Sequence, residues 1–87
     1  MPKVEVYCTE LCPFCTRAKA LLDRKGVSYE VIAVDKQPER RPEMERRAGG
    51  RTSVPQIFID DFHVGGFDDM AEMDVMGELD EKLGLEG

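Results

Sequence analysis

Two cysteines separated by two residues, Cys12 and Cys15, are the side chains of this 87-residue chain best suited to chemistry. They open the segment "CPFCTRAKALLDRKG" (12–26), whose apolar and charged residues have helical spacing, and Pro13 suits a first helical turn. Cys12 is therefore predicted to occupy the N-cap, where unpaired N–H groups and the positive end of the helix dipole favour a thiolate. We expect its pKa to fall below the value of about 8.5 for a free cysteine, leaving an exposed nucleophile.

Cys15 is suited to a different role from Cys12. It lies three residues further on and returns to the same side of the helix, so the two sulfurs can close a short disulfide with little backbone movement. It also shares an apolar face with Ala18 and Leu22, where burial disfavours a thiolate. This asymmetry predicts that Cys12 attacks and Cys15 resolves. The alternative is that both cysteines are ordinary small core residues, but this explains a pair at a helix N-terminus less well.

The remaining ligand-type side chains do not indicate a metal site. A structural zinc site needs four Cys or His ligands, whereas this chain adds only Cys8 and a single His63 to the pair. Three cysteines also cannot close a complete disulfide framework. In a small cytosolic protein such a count indicates redox or metal chemistry, and because the zinc ligands are too few, redox chemistry is favoured and no metal is expected.

Charge is unevenly distributed along the chain, whose net charge is −6. Residues 1–51 hold eleven Lys/Arg against eight Asp/Glu, while residues 52–87 hold one against ten. The acidic last third argues against nucleic acid, and no polybasic amphipathic helix indicates a membrane surface. The longest apolar run, "VIAV" (31–34), is far too short to span a bilayer and no signal peptide is visible, so we expect a soluble cytoplasmic protein.

Hydrophobic periodicity predicts seven elements in the order β-α-β-α-β-β-α. The predicted strands cover 3–7, 28–35, 55–60 and 62–66, and the predicted helices cover 13–25, 41–49 and 68–84. The first strand, helix and strand form a βαβ unit with parallel strands, and the tight junction at Asp60 and Asp61 makes the last two strands a hairpin. The second strand is more apolar than the first and is expected to be more buried. The expected architecture is one α/β domain with a mixed four-stranded sheet flanked by helices.

Two later segments are candidates for holding a partner of the thiol pair. In "TSVPQIF" (52–58), Pro55 favours an extended Val54, whose backbone can pair with an extended peptide. A plain strand start is the alternative. In "GGFDD" (65–69), two glycines before a helix N-terminus can cradle a carboxylate, although a turn with Asp68 as N-cap fits as well. Asp69, followed three residues later by Glu72, resembles a capping box.

The three segments "CPFC", "TSVP" and "GGFDD", in this order and over nearly the whole chain, resemble those of glutaredoxins. The resemblance is strongest to the small dithiol members of bacterial type. It implies a thioredoxin-like fold, a cis peptide before Pro55, and a single monomeric glutaredoxin domain over residues 1–87. It also implies glutathione-dependent reduction of protein disulfides and of protein–glutathione mixed disulfides, with glutathione as reductant and co-substrate.

The resemblance also implies roles for individual residues. Cys12 forms the mixed disulfide with glutathione and Cys15 resolves it. Phe14 stands beside glutathione where the family often has Tyr, Val54 pairs its backbone with the cysteinyl part, and Pro55 shapes that edge. The remaining expected contacts are the γ-glutamyl end with Gly66, Phe67 and Asp68, and the glycyl carboxylate with Arg41 and, as a second candidate, Arg47.

Two positions depart from the family pattern. Thr9 stands where the family usually has a Lys that favours the thiolate of the first cysteine, so more of that task falls to the helix terminus and Arg41. Cys8 stands where small hydroxyl residues are common. It is interpreted as a strand-end residue without a role, with a regulatory oxidation site as the alternative.

Two other functions compete with glutathione-dependent reduction. Some relatives carry a [2Fe–2S] cluster between two subunits, held by the first cysteine and glutathione, but Pro13 and Cys15 argue against this. A redoxin that serves one reductase and is reduced by thioredoxin reductase is the second alternative. The "TSVP" and "GGFDD" segments favour glutathione over that reductant.

Overall fold

A computed structural model describes residues 2–85 of the chain. The elements occur in the predicted order, with a short 3₁₀ helix (Pro38–Arg40) added and the last predicted helix divided in two. The strands are β1 (Val4–Cys8), β2 (Glu30–Ala33), β3 (Gln56–Ile59) and β4 (Phe62–Gly65), and the helices are α1 (Pro13–Lys25), α2 (Arg41–Arg47), α3 (Phe67–Val75) and α4 (Glu78–Leu83). None of these helices is long and apolar enough to cross a membrane.

The four strands form one mixed sheet in the order β2-β1-β3-β4. β1 pairs parallel with β2 and antiparallel with β3, and β3 pairs antiparallel with β4, as the sequence predicted. The prediction that the second strand is the more buried is wrong. All five residues of β1 are buried, whereas Glu30 and Val31 of β2 are exposed. The reason is that β2 lies at the edge of the sheet while β1 lies inside it.

The side chains of β1 alternate between the two faces of the sheet. Val4, Val6 and Cys8 pack in a cluster with residues of α1, α3 and α4, and Tyr7 packs in a second cluster with Met44 of α2. Helices therefore cover both faces, and the protein has the predicted thioredoxin-like α/β fold. The alternation places Cys8 on the same face of the sheet as α1, the helix that carries the thiol pair.

Tight connections fix the ends of several elements. Gly26 ends α1 with a left-handed φ of 73°, and Lys25 of the last turn lies 2.6 Å from an oxygen of Asp74. Asp60 and Asp61 form the predicted junction between β3 and β4, both with positive φ, as two-residue hairpin turns require. These connections keep the sheet and α1 in a fixed relation.

The prediction of one continuous last helix over 68–84 is wrong. α3 ends at Val75, Gly77 adopts a left-handed φ of 78°, and α4 begins at Glu78. A residue in that conformation interrupts helical hydrogen bonding, and glycine adopts it without steric cost. The break lets Leu79 and Leu83 turn into the core, while Val75 stays exposed.

Candidate active site

Cys12 occupies the N-cap of α1, as the sequence predicted. Its backbone is extended (φ −135°, ψ 103°), and its Sγ accepts a hydrogen bond from the backbone N–H of Cys15 at 3.2 Å. Pro13 takes the first helical position, where its missing N–H leaves no donor unused. The sulfur therefore stands where the helix presents free N–H groups, and it is partly buried rather than exposed.

Opposing influences act on the acidity of Cys12. Burial is the largest and raises the pKa of the Cys12 thiol, and the Cys15 side chain raises it as well, while the N–H groups of Cys15 and Phe14 lower it. The net effect of these contacts is to raise the pKa of Cys12 above its ordinary value. The predicted lowering of the Cys12 pKa is therefore not confirmed. None of these influences is a cation, which agrees with Thr9 standing where a lysine was expected. The positive end of α1 acts in addition and favours the thiolate.

Cys15 is buried on the apolar face of α1, with only 1% of its surface exposed. A hydrogen bond with Cys8 and burial raise its pKa far above the ordinary range, as expected for a resolving thiol that is protected from unspecific reaction. The expectation that Cys15 is buried and that its pKa is not lowered is confirmed, whereas the expected lowering of the Cys12 pKa is not. All three cysteines are free thiols.

Val54 connects the thiol pair to the loop before β3. Its carbonyl oxygen accepts a weak hydrogen bond from the Cys12 thiol at 3.8 Å, and the Val54–Pro55 peptide bond is cis, as the resemblance implied. Sheet pairing begins only at Gln56, so Val54 lies outside the ladder. Gln56 steadies this loop: its buried amide donates to the Ser53 carbonyl at 3.0 Å.

A surface cavity of about 220 Å³ opens beside Val54. Six of the seven residues predicted to bind a ligand line it, so the fold brings together segments that lie far apart in the sequence. The lining residues are Phe14, Arg51, Ser53, Val54, Pro55, Gly66, Phe67, Asp68 and Asp69. Cys12 lies at the border of this cavity through its contact with Val54, and it lines a second, adjoining surface depression with Leu11.

The N-terminus of α3 forms one wall of the cavity. Its N-cap is Gly66, so the predictions of an Asp68 N-cap and of a capping box led by Asp69 are wrong. Asp69 instead sits at the third helical position, where one carboxylate oxygen accepts the Gly66 N–H at 2.9 Å. The first helical hydrogen bond runs from Met70 to Gly66, which leaves the N–H groups of Phe67 and Asp68 without a helical partner.

The opposite wall carries aromatic surface. Phe14 is 47% exposed, and its ring lies 6.4 Å from that of Phe67, centroid to centroid. The guanidinium of Arg17 lies 5.2 Å from the Phe14 ring centroid. The cavity thus combines an apolar side, an extended backbone at Val54, and unpaired N–H donors at a helix N-terminus.

The two arginines considered for a carboxylate contact lie elsewhere. Arg41 does not line the cavity, and its guanidinium donates to the Thr52 carbonyl at 2.8 Å. Arg47, the second candidate, does not line the cavity either, and its guanidinium donates to the buried Glu5 carboxylate at 2.8 Å and to the Tyr7 hydroxyl at 2.8 Å. A buried carboxylate on β1 requires a cationic partner, and Arg47 is held there as that partner.

The sequence reasoning missed Arg51, Ser53 and Asp69, which line the cavity, and Leu11, which lines the depression beside it. Arg51 lines the cavity and donates to the Asp69 carboxylate at 3.1 Å, and Asp69 holds the Gly66 N–H. Leu11 lies next to Cys12 with 94% of its surface exposed. The sequence offered two signals for these residues: an arginine three residues before Val54, and a leucine in a polar loop beside a reactive cysteine.

A thioredoxin-like fold that carries a Cys-x-x-Cys pair at a helix N-terminus defines a thiol–disulfide oxidoreductase. The family model for glutaredoxins matches residues 4–64 of the chain. The chain belongs to the glutaredoxin family.

Comparison with individual proteins agrees with this membership. The chain is 52% identical over 83 residues to "Glutaredoxin 3" of Escherichia coli K12, covering 95% of this chain and 99% of that protein. It is similar to the solution structure of the Brucella melitensis glutaredoxin, with TM-score 0.83, 46% identity, and 98% and 91% of the two chains covered. It is also similar to the buckwheat glutaredoxin–glutathione complex, with TM-score 0.86, 28% identity, and 95% and 77% covered.

Proposed function

We propose that this protein uses glutathione to reduce protein disulfides and protein–glutathione mixed disulfides through Cys12 and Cys15. The observation that carries the proposal is the contact of the Cys12 sulfur with the Val54 carbonyl, at the border of a cavity lined by six residues expected to bind glutathione. The buckwheat relative was solved as a glutathione complex, which supports the same ligand here. We further propose that the protein is a monomer of one domain and acts in the cytoplasm.

Glutathione would bind in an extended form along this cavity. The Val54 backbone pairs with the cysteinyl residue, as an added strand does, and so directs the ligand's sulfur towards Cys12. The backbone N–H groups of Phe67 and Asp68 donate hydrogen bonds to the γ-glutamyl carboxylate, while the Asp68 carboxylate pairs with the ligand's ammonium group. Gly66 contributes its place at the turn rather than its N–H, which Asp69 holds.

The remaining contacts set the shape and charge of the site. Phe14 and Pro55 cover the cysteinyl residue in the middle of the ligand with apolar surface. Arg41 was expected to meet the glycyl carboxylate, and it would have to release the Thr52 carbonyl to do so. Arg51, which lines the cavity, is the better placed cation.

Reduction of a mixed disulfide would need only Cys12. Its thiolate attacks the glutathione sulfur, the sulfur–sulfur bond to the target breaks, and the target leaves as a thiolate that takes up a proton. A second glutathione thiolate then attacks the glutathione sulfur bound to Cys12, which yields glutathione disulfide and regenerates the Cys12 thiolate. The helix N-terminus stabilises Cys12 both as nucleophile and as leaving group.

Reduction of a protein disulfide would need both cysteines. Cys12 attacks one target sulfur and releases the other as a thiolate. Cys15 then attacks the Cys12 sulfur, which frees the target and leaves a Cys12–Cys15 disulfide for two glutathiones to reduce. The raised pKa of Cys15 means that it must lose its proton during this step, and the departing thiolates of the target are the nearest bases.

The test compares Cys12→Ser and Cys15→Ser with the wild type on a glutathionylated peptide and on a protein disulfide, supplied with glutathione and glutathione reductase. Cys15→Ser should keep deglutathionylation and lose turnover of the protein disulfide, while Cys12→Ser should lose both. Activity of Cys12→Ser on the glutathionylated peptide would contradict the proposal. Replacing glutathione by thioredoxin reductase and NADPH should give no turnover, and turnover there would support the rival reductant. Visible absorbance after anaerobic purification would support the cluster carrier.

A further inference from the structure

A buried glutamine adjoins the loop that carries Val54. Gln56 is the first residue of β3 and is 0% exposed, so its side-chain amide must find its hydrogen-bond partners inside the protein. The amide nitrogen donates to the Ser53 carbonyl at 3.0 Å and to the Ser53 hydroxyl at 3.3 Å. The amide oxygen lies 2.7 Å from Nε2 of His63 on β4. The side chain of Gln56 therefore connects β4 to the loop before β3.

The Ser53 carbonyl fixes the direction of these hydrogen bonds. A carbonyl oxygen only accepts, so the atom of Gln56 that faces it must be the amide nitrogen. The amide oxygen then faces His63, and because that oxygen also only accepts, Nε2 of His63 must carry a proton. The imidazole is stacked on Phe58, with 5.0 Å between the ring centroids and 25° between the planes. We call the hydrogen bonds from His63 to Gln56 and from Gln56 to Ser53 the Gln56–His63 relay.

The relay acts on the peptide unit between Ser53 and Val54. The cis bond of this loop is Val54–Pro55, and the Ser53–Val54 bond is trans. In a planar trans peptide the C=O and the N–H of one unit point in opposite directions. Because the Ser53 carbonyl is held towards the buried Gln56, the Val54 N–H points the other way. Val54 lines the cavity, and its N–H donates to no acceptor within residues 2–85, so it is free for a ligand.

We propose that Gln56 and His63 are positioning residues for glutathione, because they direct the Val54 N–H to the cysteinyl carbonyl of the bound tripeptide. This role rests on the proposed function, in which the Val54 backbone pairs with the cysteinyl residue as an added strand does. His63 contacts no ligand in this arrangement and acts through Gln56. Without the hydrogen bond from His63, the buried amide oxygen of Gln56 would lose its partner, and this cost would favour side-chain conformations that release the Ser53 carbonyl.

The relay places the loop under the control of the sheet. Ser53 is exposed, and sheet pairing begins only at Gln56, so the pairing itself does not hold the Ser53–Val54 peptide. The two relay side chains, in contrast, stand on β3 and β4, which pair with each other. A loop that must be ordered when the ligand arrives costs affinity, whereas a donor that already faces the ligand does not. We therefore expect loss of the relay to weaken the binding of glutathione compounds.

S-methylglutathione is the probe, because it has the backbone of glutathione and cannot form a disulfide. It is titrated into the isotopically labelled, reduced protein, and the backbone amide resonances are followed by NMR. His63→Phe keeps a ring against Phe58 and removes the donor, and Gln56→Met keeps the length of the side chain and removes both polar atoms. Each should raise the Kd about fivefold, as expected for the loss of about one hydrogen bond. His63→Gln, whose amide nitrogen can replace Nε2, should restore an affinity near that of the wild type.

The double variant shows whether His63 acts through Gln56. If it does, His63→Phe combined with Gln56→Met should bind the probe as weakly as Gln56→Met alone. Effects of the two substitutions that multiply would contradict a relay.

The Val54 amide provides a test that needs no loss of affinity. In the wild type it should exchange rapidly with solvent in the free protein, and it should shift downfield and become protected when the probe is bound. In His63→Phe and Gln56→Met at saturation it should not shift, while the amides of Phe67 and Asp68 should shift as in the wild type. An unprotected Val54 amide in the wild-type complex would overturn the inference.

Tyr7→Phe is the matched control. It removes a hydroxyl from the same face of the sheet, where Tyr7 pairs with Gln56 across β1 and β3, and its lost hydrogen bonds lie outside the relay. Its Kd should equal that of the wild type. Wild-type affinity in both His63→Phe and Gln56→Met would overturn the relay and leave the proposed function standing, and so would an equal loss in Tyr7→Phe. A wild type that does not bind S-methylglutathione would overturn both.

Discussion

The backbone N–H of Cys15 lies 3.2 Å from the sulfur of Cys12 and donates a hydrogen bond to it. This contact couples the two members of the thiol pair before any disulfide forms, because the residue that resolves also helps to hold the residue that attacks. It is opposed by burial, and no cation is among the leading influences on the Cys12 sulfur. The acidity of Cys12 is therefore the property of this site that one added charge should change most.

Replacing Thr9 by lysine should lower the pKa of Cys12. The Thr9 backbone acts on the Cys15 thiol and lowers its pKa, so a lysine at this position would bring a positive charge near the pair. The rate of alkylation of Cys12 by iodoacetamide, followed from pH 4 to pH 10, measures the change. Thr9→Met, of similar length but uncharged, should leave the profile at its wild-type position. Coincident profiles for the lysine and methionine variants would show that the charge does not act on Cys12.

Removing the Arg51 charge should weaken glutathione binding. Arg51 lines the cavity and is exposed, so its loss should cost roughly 1 kcal/mol of binding, or about a fivefold higher KM for glutathione. Steady-state kinetics of Arg51→Met on a glutathionylated peptide measure this, with kcat near its wild-type value. Arg46→Met, which removes an exposed arginine from α2, is the control. An equal rise of KM in both variants would point to overall charge rather than to this contact.

Because of Asp69, the free energy of unfolding should depend on pH in the acid range. The Gly66 N–H, first, and Arg51 hold the pKa of Asp69 below its ordinary value. A lowered carboxyl pKa gives stability that is present above the unfolded value of about 3.9 and is lost as the pH falls through the folded value. Asp69→Asn should therefore lower the free energy of unfolding by about 1 kcal/mol at pH 7, and the difference should shrink as the pH falls below about 4.

Urea denaturation at pH 7, 5, 4 and 3 gives this difference. Asp68→Asn is the matched control. The Asp68 carboxylate is next to Asp69 in the chain and is exposed, but it accepts no hydrogen bond within residues 2–85. A constant difference between Asp69→Asn and the wild type over the whole pH range would contradict the role assigned to the charged carboxylate.

Arg47→Met should destabilise the fold without altering glutathione binding. The variant leaves the buried Glu5 carboxylate with only Lys3, whose nitrogen lies 4.0 Å away. Removing one partner of such a pair should cost about 2 to 3 kcal/mol, somewhat less than a fully buried pair because Arg47 is partly exposed. Urea denaturation measures the loss, with Arg46→Met as control. A higher KM for glutathione at unchanged stability would restore Arg47 as a ligand.

The thiol-bearing end of the site followed from local sequence. A proline after the first cysteine and a helical period behind it were enough to place Cys12 at an N-cap, because capping depends on a few adjacent residues. The approximate bounds of β1, α1 and the hairpin at Asp60 and Asp61 followed for the same reason. The six predicted residues that line the cavity were assigned to ligand binding by the resemblance to the family, not by local rules.

The errors share a different origin. The burial of β2 depends on which strand lies at the edge of the sheet, and the place of Arg47 depends on Glu5, 42 positions away. The break at Gly77 depends on how the second half of the last helix meets the core, and the same residues read equally well as one helix. Each of these is decided by contacts between distant parts of the chain, which no short window contains.

The exposure of Leu11 beside the Cys12 sulfur has a consequence for the free energy of binding. Leu11 shares a depression with Cys12, and the glutathione cavity does not include it, so a bound tripeptide leaves its side chain in water. A partner large enough to cover it gains up to about 2 kcal/mol from dehydrating that one residue. Burial of Leu11 would therefore add to the binding of a protein whose surface beside its oxidised cysteine is apolar, before any covalent step begins.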